Sequence, residues 1–324
     1  MAGKKQKILF IVNPKSGKGF IKNHLMDIID IFIKNDRKVT VHITQREMDA
    51  CQVTRRQAKK YDLIVCSGGD GTLDEVITGM MARKPEERCP VGYIPAGSTN
   101  DFAGSLGLPR NMKEAAGYIM QSQPCACDIG GFNENYFVYI AAFGAFTDVS
   151  YQTRQEVKNV LGHLAYVLEG AKRLFNLKSY HMKISTGEEQ MEDDFIFGMV
   201  TNSRSVGGFK NITGKNVQLD DGVFEVTLIR MPKNPIELQE ILGAILLQEM
   251  DHKLICTRKA SRVVFESEEE IPWTLDGEFG GNHREVIVRN HKHAISIMAK
   301  KDNRSTCWSR AEDSIESEKN TEVW

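Results

Sequence analysis

Two spacings of apolar residues alternate along the first third of the chain. Residues 7–12 form a short apolar run, which is typical of a buried strand. In residues 20–35, apolar side chains recur at intervals of three and four, which predicts one face of a helix. Strands that alternate with helices indicate a doubly wound α/β layer on a parallel sheet. The same two patterns then predict strands at 39–43, 63–66 and 91–94 and helices at 46–60 and 73–80.

The pattern changes after about residue 128. Short alternating segments separated by Gly, Asn and Asp follow, and they predict mainly antiparallel strands. The predicted strands are 136–142, 180–185, 195–201, 223–229, 262–266, 286–288 and 294–299, with helices at 158–175 and 235–248.

This change of pattern predicts a division of the chain into two domains and a tail. Residues 1–127 form the α/β domain, residues 128–289 form a β-rich domain, and residues 301–324 form a polar, flexible tail. The pattern alone leaves the last strand open to either half. We assign residues 290–300 to the α/β domain.

Composition and charge exclude several classes of protein. Hydrophobic residues are 41% of the 324 and charged residues 26%, as in soluble globular proteins. The 42 basic and 43 acidic residues give a net charge of -1, so no field over the whole molecule attracts nucleic acid. No run approaches the length of a membrane span, and the apolar run at 8–12 is shorter than that of a secretory signal. We therefore expect a cytoplasmic protein.

Four segments rich in glycine or acidic residues each follow a predicted strand. The first, residues 13–19, reads Asn-Pro-Lys-Ser-Gly-Lys-Gly. Glycines let backbone N–H groups approach an anion, and the N-terminus of the next helix adds partial positive charge. The segment is not a Walker A loop, because Val12 and Gly19 stand where that motif has Gly and Ser or Thr. An ordinary strand-to-helix turn is the alternative.

The second and third segments strengthen the prediction of a phosphate site. Residues 67–72 read Ser-Gly-Gly-Asp-Gly-Thr, and Asp70 is positioned to meet a Mg²⁺-bound water or a hydroxyl. Residues 95–102 carry small hydroxyl side chains that bond phosphate oxygens, although Asn100 and Asp101 also suit a helix cap. Loops at the carboxyl ends of neighbouring parallel strands converge on one crevice, so we expect the ligand there.

The fourth segment, residues 275–278, reads Leu-Asp-Gly-Glu and lies far along the chain. Two carboxylates around a glycine are typical of a turn. They are also suited to provide a general base and a metal partner. The residues themselves leave both interpretations open.

Together, the four segments resemble the diacylglycerol kinase catalytic-domain family, and most of all its soluble bacterial lipid kinases. The resemblance covers about residues 7–300. It implies an N-terminal doubly wound α/β nucleotide-binding domain, shared with NAD kinases, and a C-terminal antiparallel β-sandwich domain. The motifs are Asn13-Pro14-x-Ser16-Gly17, Gly68-Gly69-Asp70-Gly71-Thr72, Gly97-Ser98-Thr99-Asn100-Asp101-Phe102 and Leu275-Asp276-Gly277-Glu278.

The resemblance also implies which residues bind ATP. Ser98 stands where the family has Thr, and Asp74 where it more often has Asn. The implied ATP-binding residues are Asn13, Pro14, Lys15, Ser16, Gly17, Thr44, Gly68, Gly69, Asp70, Gly71, Thr72, Leu73, Asp74, Glu75, Ser98, Thr99, Asn100 and Asp101.

Catalytic and Mg²⁺-binding roles follow from the same resemblance. Glu278 corresponds to the family's catalytic base, and Asp70 and Asp276 are assigned to catalysis with it. The acids around the catalytic Mg²⁺ are Asp70, Asp101, Asp128 and Asp276. The family's structural Mg²⁺ is bound at positions matching Gln218, Asp221 and Val223.

These assignments predict an ATP- and Mg²⁺-dependent lipid kinase that converts diacylglycerol to phosphatidic acid, with transient contact at the inner membrane face. Another lipid alcohol, such as a sphingoid base or phosphatidylglycerol, is the alternative acceptor. A nucleotide- or lipid-binding regulator without turnover is the alternative of another class, and the intact Asp70, Asp276 and Glu278 argue against it. The expected partners are ATP and the lipid, without nucleic acid, and a homodimer is left open.

Overall fold

The computed structural model describes residues 5–97, 100–144, 177–187, 189–206, 209–210, 217–247 and 252–300. Three predictions lie outside the described residues. They are the helix at 158–175, the tail at 301–324, and the contacts of Ser98 and Thr99.

The first part of the chain folds as the predicted alternation of strands and helices. Strands β1 to β4 are parallel neighbours in the order β4-β3-β1-β2. The elements are β1 Gln6–Val12, α1 Ile21–Lys34, β2 Arg37–Ile43, α2 Asp49–Gln57, β3 Leu63–Gly68, α3 Asp70–Met81, β4 Val91–Pro95, α4 Asp101–Ser105 and α5 Met112–Met120.

Helices cover both faces of this parallel layer. On one face, Ile28 and Phe32 of α1 pack with Phe10 of β1, and the two rings lie 5.5 Å apart. On the other face, the buried side chains of α2 and α3 join those of β1 and β3 in a second cluster. Because both faces are covered, β3 is buried along its whole length, as its continuous apolar run predicts. The predicted parallel α/β layer is present, with helices on both of its faces.

The second part consists mainly of antiparallel strands. One helix, α6, interrupts them within the described residues and agrees closely with the helix predicted at 235–248. The elements are β5 Gln123–Phe132, β6 Asn135–Phe137, β7 Ile140–Gly144, β8 Tyr180–Thr186, β9 Glu189–Thr201, β10 Ser205–Val206, β11 Phe209–Lys210, β12 Phe224–Arg230, α6 Pro235–Leu247, β13 Ile255–Ala260, β14 Arg262–Leu275 and β15 Glu278–Ala299.

Four of these strands close around an aromatic core. Strand β14 pairs with both β7 and β8, and each of those pairs with β9. Trp273 of β14 lies 4.9 Å from the ring of Phe143 and 5.0 Å from that of Phe265. The prediction of a mixed α/β fold rich in antiparallel strands is confirmed, whereas the division into two domains and the β-sandwich layout stay predictions.

Strand β15 differs from its prediction. The segments at 286–288 and 294–299 belong to one strand of 22 residues, which pairs with β14 and β5 and also runs parallel to β4 at Ile297 and Val91. Through that contact, the described strands other than β10 and β11 form one 13-stranded hydrogen-bonded network. Among the described residues, no helix is both long and apolar enough to cross a bilayer.

Candidate active site

Three of the four predicted segments begin side by side at one edge of the parallel layer. Strands β1, β3 and β4 end at Val12, Gly68 and Pro95. The main chain of Asn13 donates to the carbonyl of Ser67 at 2.9 Å, and that of Ala96 donates to the carbonyl of Gly68 at 2.7 Å. The predicted convergence of the loops after these strands is therefore present.

Contacts with the start of α3 and with the loop after β4 hold the first loop, residues 13–19, in place. Asn13 Nδ2 donates to Thr72 Oγ1 at 3.0 Å, and Asn13 Oδ1 accepts from the main chain of Lys15 at 3.0 Å. Gly17 has a φ of +56°, and a Cβ there would lie 2.4 Å from the carbonyl oxygen of Ala96. Only glycine fits this close approach. Loop one is thus fixed to the start of α3 and to the loop after β4.

Open space lies beside the N-terminus of α3. A Cβ on Gly97 would come within 2.6 Å of Gly69 Cα, so these two loops touch. A Cβ on Gly71, in the first turn of α3, would meet none of the described residues within 4 Å. The N-terminus of a helix with free space beside it is suited to bind a phosphate group.

This space gives a direct test of the phosphate site. Gly71→Ala keeps a helical backbone and meets no neighbour, so we expect stability to stay equal or rise by up to about 1 kcal/mol. The added methyl group occupies the phosphate space, so ATP affinity falls about tenfold or more, a loss of about 1.4 kcal/mol or more in binding free energy. Thermal melts and ATP titrations measure the two effects.

Gly117→Ala is the matched control for Gly71→Ala. Gly117 is also helical, in α5, and a Cβ there also meets nothing within 4 Å. We expect the same small gain in stability without loss of ATP affinity. A Gly71→Ala protein that melts lower and binds ATP normally would instead identify this segment as a structural turn.

Two aspartates from neighbouring loops face each other. Asp70 Oδ2 accepts from the main chain of Asp101 at 3.0 Å. Burial, followed by the charge of Asp101, raises the pKa of Asp70 to about 6. Asp101 is only 9% exposed. The raised pKa reports a concentration of negative charge that is poorly solvated.

Asp276 brings the fourth segment into the same place. Its φ is +49°, and its carboxylate accepts from the main chains of Val138 at 2.6 Å and of Tyr139 and Ile140 at 3.0 Å each. Burial is the largest cause that raises the pKa of Asp276 to about 7, and the charge of Asp70 raises it further. Three backbone donors therefore fix this carboxylate towards the acids of the α/β part.

Asp74 and Glu278 complete the group. Burial and then the charge of Asp276 raise the pKa of Asp74 well above its usual range, so these two carboxyl groups lie close together. The charge of Glu278 contributes to the same shift, so Glu278 lies within electrostatic reach of Asp74. Glu278 is exposed at the start of β15. An exposed carboxylate at the rim of a buried acid cluster is accessible to an incoming acceptor.

The acids suit a divalent cation. Among the described residues, no three His, Cys, Asp or Glu side chains form a ready-made metal cage. Mg²⁺ at kinase sites, however, is usually bound through one or two carboxylates together with substrate phosphates. The shifted pKa of Asp70 shows negative charge that such a cation would neutralise. Asp70 and Asp101 therefore fit Mg²⁺.

Asp128 lies elsewhere, against the turn at 218–223. It is fully buried, and its carboxylate accepts from the main chains of Gly222 at 2.7 Å and His293 at 2.8 Å and from Asn290 Nδ2 at 3.2 Å. These bonds tie strands β5 and β15 to the turn. Asp128 is therefore brought together with the residues predicted for the structural Mg²⁺.

The turn itself contains carboxylate and carbonyl oxygens that could bind a metal ion, and lysine side chains lie beside them. Asp221 Oδ1 accepts from the main chain of Val223 at 3.1 Å, and Asp221 Oδ2 lies 3.6 Å from Lys259 Nζ. Lys292 Nζ donates to the Asp221 carbonyl at 3.3 Å, and Gln218 is exposed. Burial and then the charge of Asp128 raise the pKa of neighbouring Asp220. The carboxylates of Asp128, Asp220 and Asp221 outnumber the ammonium groups of Lys259 and Lys292 here. The excess negative charge fits a cation at this turn.

A melting experiment tests the structural cation. If Asp221 holds Mg²⁺ in the folded state only, the ion stabilises the wild type by about 2.7 kcal/mol at 100 times its Kd. We expect a higher Tm in Mg²⁺ than in chelator for the wild type and no difference for Asp221→Ala. Asp30→Ala, at an exposed position of α1, is the control that keeps the Mg²⁺ effect. Equal Mg²⁺ effects in wild type and Asp221→Ala would place the cation elsewhere.

Some predicted ATP residues have structural contacts in the fold. The carboxylate of Glu75 accepts from the main chains of Met48 at 2.9 Å and Ala50 at 3.0 Å, at the start of α2. Leu73 is 1% exposed in the core. The main chain of Thr44 donates to the Val12 carbonyl at 2.9 Å, which puts Thr44 next to the first loop.

Two tyrosines at the site were missed by the sequence analysis. Tyr139 stacks on Phe102 with ring centroids 6.4 Å apart. Burial and then the charges of Asp70 and Asp276 raise the pKa of Tyr139 well above its usual range. Tyr93 is buried beneath the loops. Both lie in apolar segments, so the hydrophobic pattern predicts that they are core residues. Only their hydroxyl groups distinguish them from the other residues of the core.

Comparisons with known proteins agree with this geometry. A family model described as the diacylglycerol kinase catalytic domain matches residues 7–132. A diacylglycerol kinase of Bacillus subtilis (strain 168) is 31% identical over 292 residues, covering 90% of this chain and 95% of the relative. One from Staphylococcus saprophyticus is 32% identical over 273 residues, covering 84% of this chain and 88% of the relative.

Solved structures agree as well. Two crystal structures of Bacillus anthracis str. Sterne proteins, the second described as a diacylglycerol kinase, match with TM-scores of 0.78 and 0.72. Their identities are 26% and 24%, and both matches cover 90% of this chain and 96% of the other. The fold and the relatives together define an enzyme of the lipid kinase class. The chain belongs to the diacylglycerol kinase family.

Proposed function

We propose that this lipid kinase transfers the γ-phosphoryl group of ATP, with Mg²⁺, to the hydroxyl group of diacylglycerol and so forms phosphatidic acid. The observation that supports this most directly is the convergence of Asp70, Asp101 and Asp276, which come from three segments far apart in sequence. Relatives named diacylglycerol kinase favour diacylglycerol as the acceptor.

The nucleotide phosphates bind between the first two loops. Gly71 leaves open space for the phosphates, Gly17 lets the first loop approach Ala96 closely, and the N-terminus of α3 provides partial positive charge. The Asn13–Thr72 hydrogen bond keeps the two loops in register. Because phosphoryl transfer depends chiefly on positioning and charge neutralisation, loops fixed before ATP arrives lower the barrier.

Asp70 and Asp101 would hold the catalytic Mg²⁺, with Asp276 on the opposite side of the cleft. When bound, the ion supplies positive charge that neutralises phosphate oxygens. The three backbone N–H groups on Asp276 keep its carboxylate oriented towards the cleft. Asp128 and Asp221 would act away from the chemistry, at the structural turn.

Glu278 acts as the general base. Its carboxylate accepts the proton of the acceptor hydroxyl as that oxygen attacks the γ-phosphorus, and the bond from the γ-phosphorus to the bridging oxygen breaks to release ADP. A lipid alcohol is unactivated, so proton removal during attack is required. The exposed position of Glu278 favours contact with an acceptor that arrives from a lipid surface.

The site draws on both predicted domains. Asp70 and Asp101 belong to residues 1–127, whereas Asp276 and Glu278 belong to residues 128–289. We propose that the cleft between them binds ATP on the α/β side and the lipid on the β-rich side. The enzyme is expected in the cytoplasm and transiently at the inner membrane face, and a homodimer is compatible with this arrangement.

A lipid panel tests the proposal. Purified protein is incubated with labelled ATP and mixed micelles that contain diacylglycerol, a sphingoid base or phosphatidylglycerol, with Mg²⁺ or with chelator. We expect labelled phosphatidic acid, only with Mg²⁺. If the label appears in the phosphorylated product of another lipid, that lipid replaces diacylglycerol as the proposed acceptor. If the protein binds ATP but labels no lipid, the result favours a regulator without turnover.

A further inference from the structure

Tyr93 lies at the junction of the loops that form the nucleotide site. It stands on β4 beside Cys66 of β3, and its side chain is fully buried. The hydroxyl oxygen lies 3.4 Å from the carbonyl oxygen of Gly68, 3.5 Å from Asp70 Oδ1 and 3.3 Å from Asn100 Oδ1. One hydroxyl group therefore contacts the loop after β3 and the loop after β4.

The single hydroxyl proton has a preferred acceptor among the three. The Gly68 carbonyl and Asn100 Oδ1 each already accept a shorter main-chain hydrogen bond, at 2.7 and 2.8 Å. A hydroxyl group donates one proton at a time, and bonds to a charged acceptor are stronger. Asp70 Oδ1 therefore gains most from this donor.

We propose that Tyr93 is a positioning residue whose hydroxyl group orients the Asp70 carboxylate for the Mg²⁺-nucleotide. This inference rests on the proposed function of the site. Asp70 Oδ2 is already oriented by the main chain of Asp101, so the Tyr93 hydroxyl fixes the second oxygen of the same carboxylate.

The hydroxyl group of Tyr93 can be removed without moving its ring. The ring itself is held by β3 and β4, so removing the oxygen leaves the packing unchanged. Tyr93→Phe is therefore a selective test of the hydrogen bonds.

For Tyr93→Phe we expect kcat to fall about 3- to 10-fold, because the hydrogen bond to Asp70 Oδ1 is long at 3.5 Å. The Mg²⁺ concentration for half-maximal rate rises several-fold, and KM for the lipid stays as in the wild type. A purely structural role would lower the Tm without this selective change in Mg²⁺ dependence.

Tyr118→Phe is the control. Its hydroxyl oxygen accepts from the main chain of Lys300 at 2.8 Å, away from the site, and its loss leaves kinetics unchanged. Normal kcat and Mg²⁺ dependence in Tyr93→Phe, or equal losses in both variants, overturn the proposal.

Binding of Mg²⁺-ATP, measured by calorimetry without lipid, separates Tyr93 from the acceptor question. If the wild type binds nucleotide but phosphorylates no lipid, the proposed acceptor is wrong. Weaker Mg²⁺-ATP binding in Tyr93→Phe still supports the positioning role in that case, and unchanged binding contradicts it. A wild type that does not bind nucleotide overturns both.

Discussion

Replacing Glu278 with Gln is expected to remove phosphoryl transfer and leave ATP binding nearly intact. The amide cannot accept the proton of the lipid hydroxyl, and the loss of a general base lowers kcat about 10²–10⁴-fold. Glu278 is exposed at the start of β15, so the exchange introduces no cavity. Initial rates with diacylglycerol micelles and ATP titrations measure the two effects.

Glu285→Gln provides the control for Glu278→Gln. Glu285 is also an exposed glutamate of β15, and it stands opposite Glu266 of β14, away from the acid cluster. We expect its kcat and ATP affinity to match the wild type. Near-normal turnover in Glu278→Gln would assign the proton transfer to another group.

Asp70→Asn is expected to reduce turnover about 10²–10³-fold, as for the removal of one preorganised electrostatic group. The thermal stability of Asp70→Asn, in contrast to its turnover, should not fall. The pKa of Asp70 is about 6 in the folded protein, above its usual value, so its charge destabilises the fold as pH rises through 6. At pH 8 the neutral Asn avoids this effect, so the Tm is equal to the wild type or higher. Below pH 4 the difference disappears.

Asp62→Asn is the comparison for Asp70→Asn. Asp62 also accepts from a main-chain donor, Lys7 at 2.7 Å, but it is exposed at the opposite end of β3. We expect wild-type kinetics and no gain in Tm at pH 8. An Asp70→Asn protein with normal turnover, or one that unfolds at pH 8, contradicts the assignment of Asp70.

The parts of the fold that follow from local spacing were predicted well. Apolar periods predicted strands β1 to β4 and helices α1 to α3 of the parallel layer, and glycine-rich segments mark the loops at its edge, whereas the short helices α4 and α5 were not predicted. Strand β15 was divided because a polar stretch interrupts its apolar alternation. His293 in that stretch has a φ of +53°, and the register with β5 shifts between His291 and Ile295. Long-range pairing maintains this strand where its local pattern fails.

The site was predicted less completely because its chemistry depends on contacts between distant residues. The motifs mark Asp70 and Asp276, but the shift of their pKa values arises from burial together with charges that only the fold brings near. Asp128, which the resemblance assigns to the same Mg²⁺, accepts from the main chain of Gly222 at another turn. Tyr93 stands in an apolar run and has one polar atom, its hydroxyl oxygen. The spacing of residues therefore does not predict its contact with Asp70.

The unbroken course of β15 limits how the enzyme moves. Its first residue is Glu278, and the same strand pairs with β4, whose end leads into the loop that carries Asp101. A free hinge between the two halves would need this ladder to break. We therefore expect closure of the proposed cleft to involve bending within the sheet, with only a small change in the distance between Glu278 and the nucleotide loops. The width of the proposed cleft would then be determined by the sheet before any substrate binds.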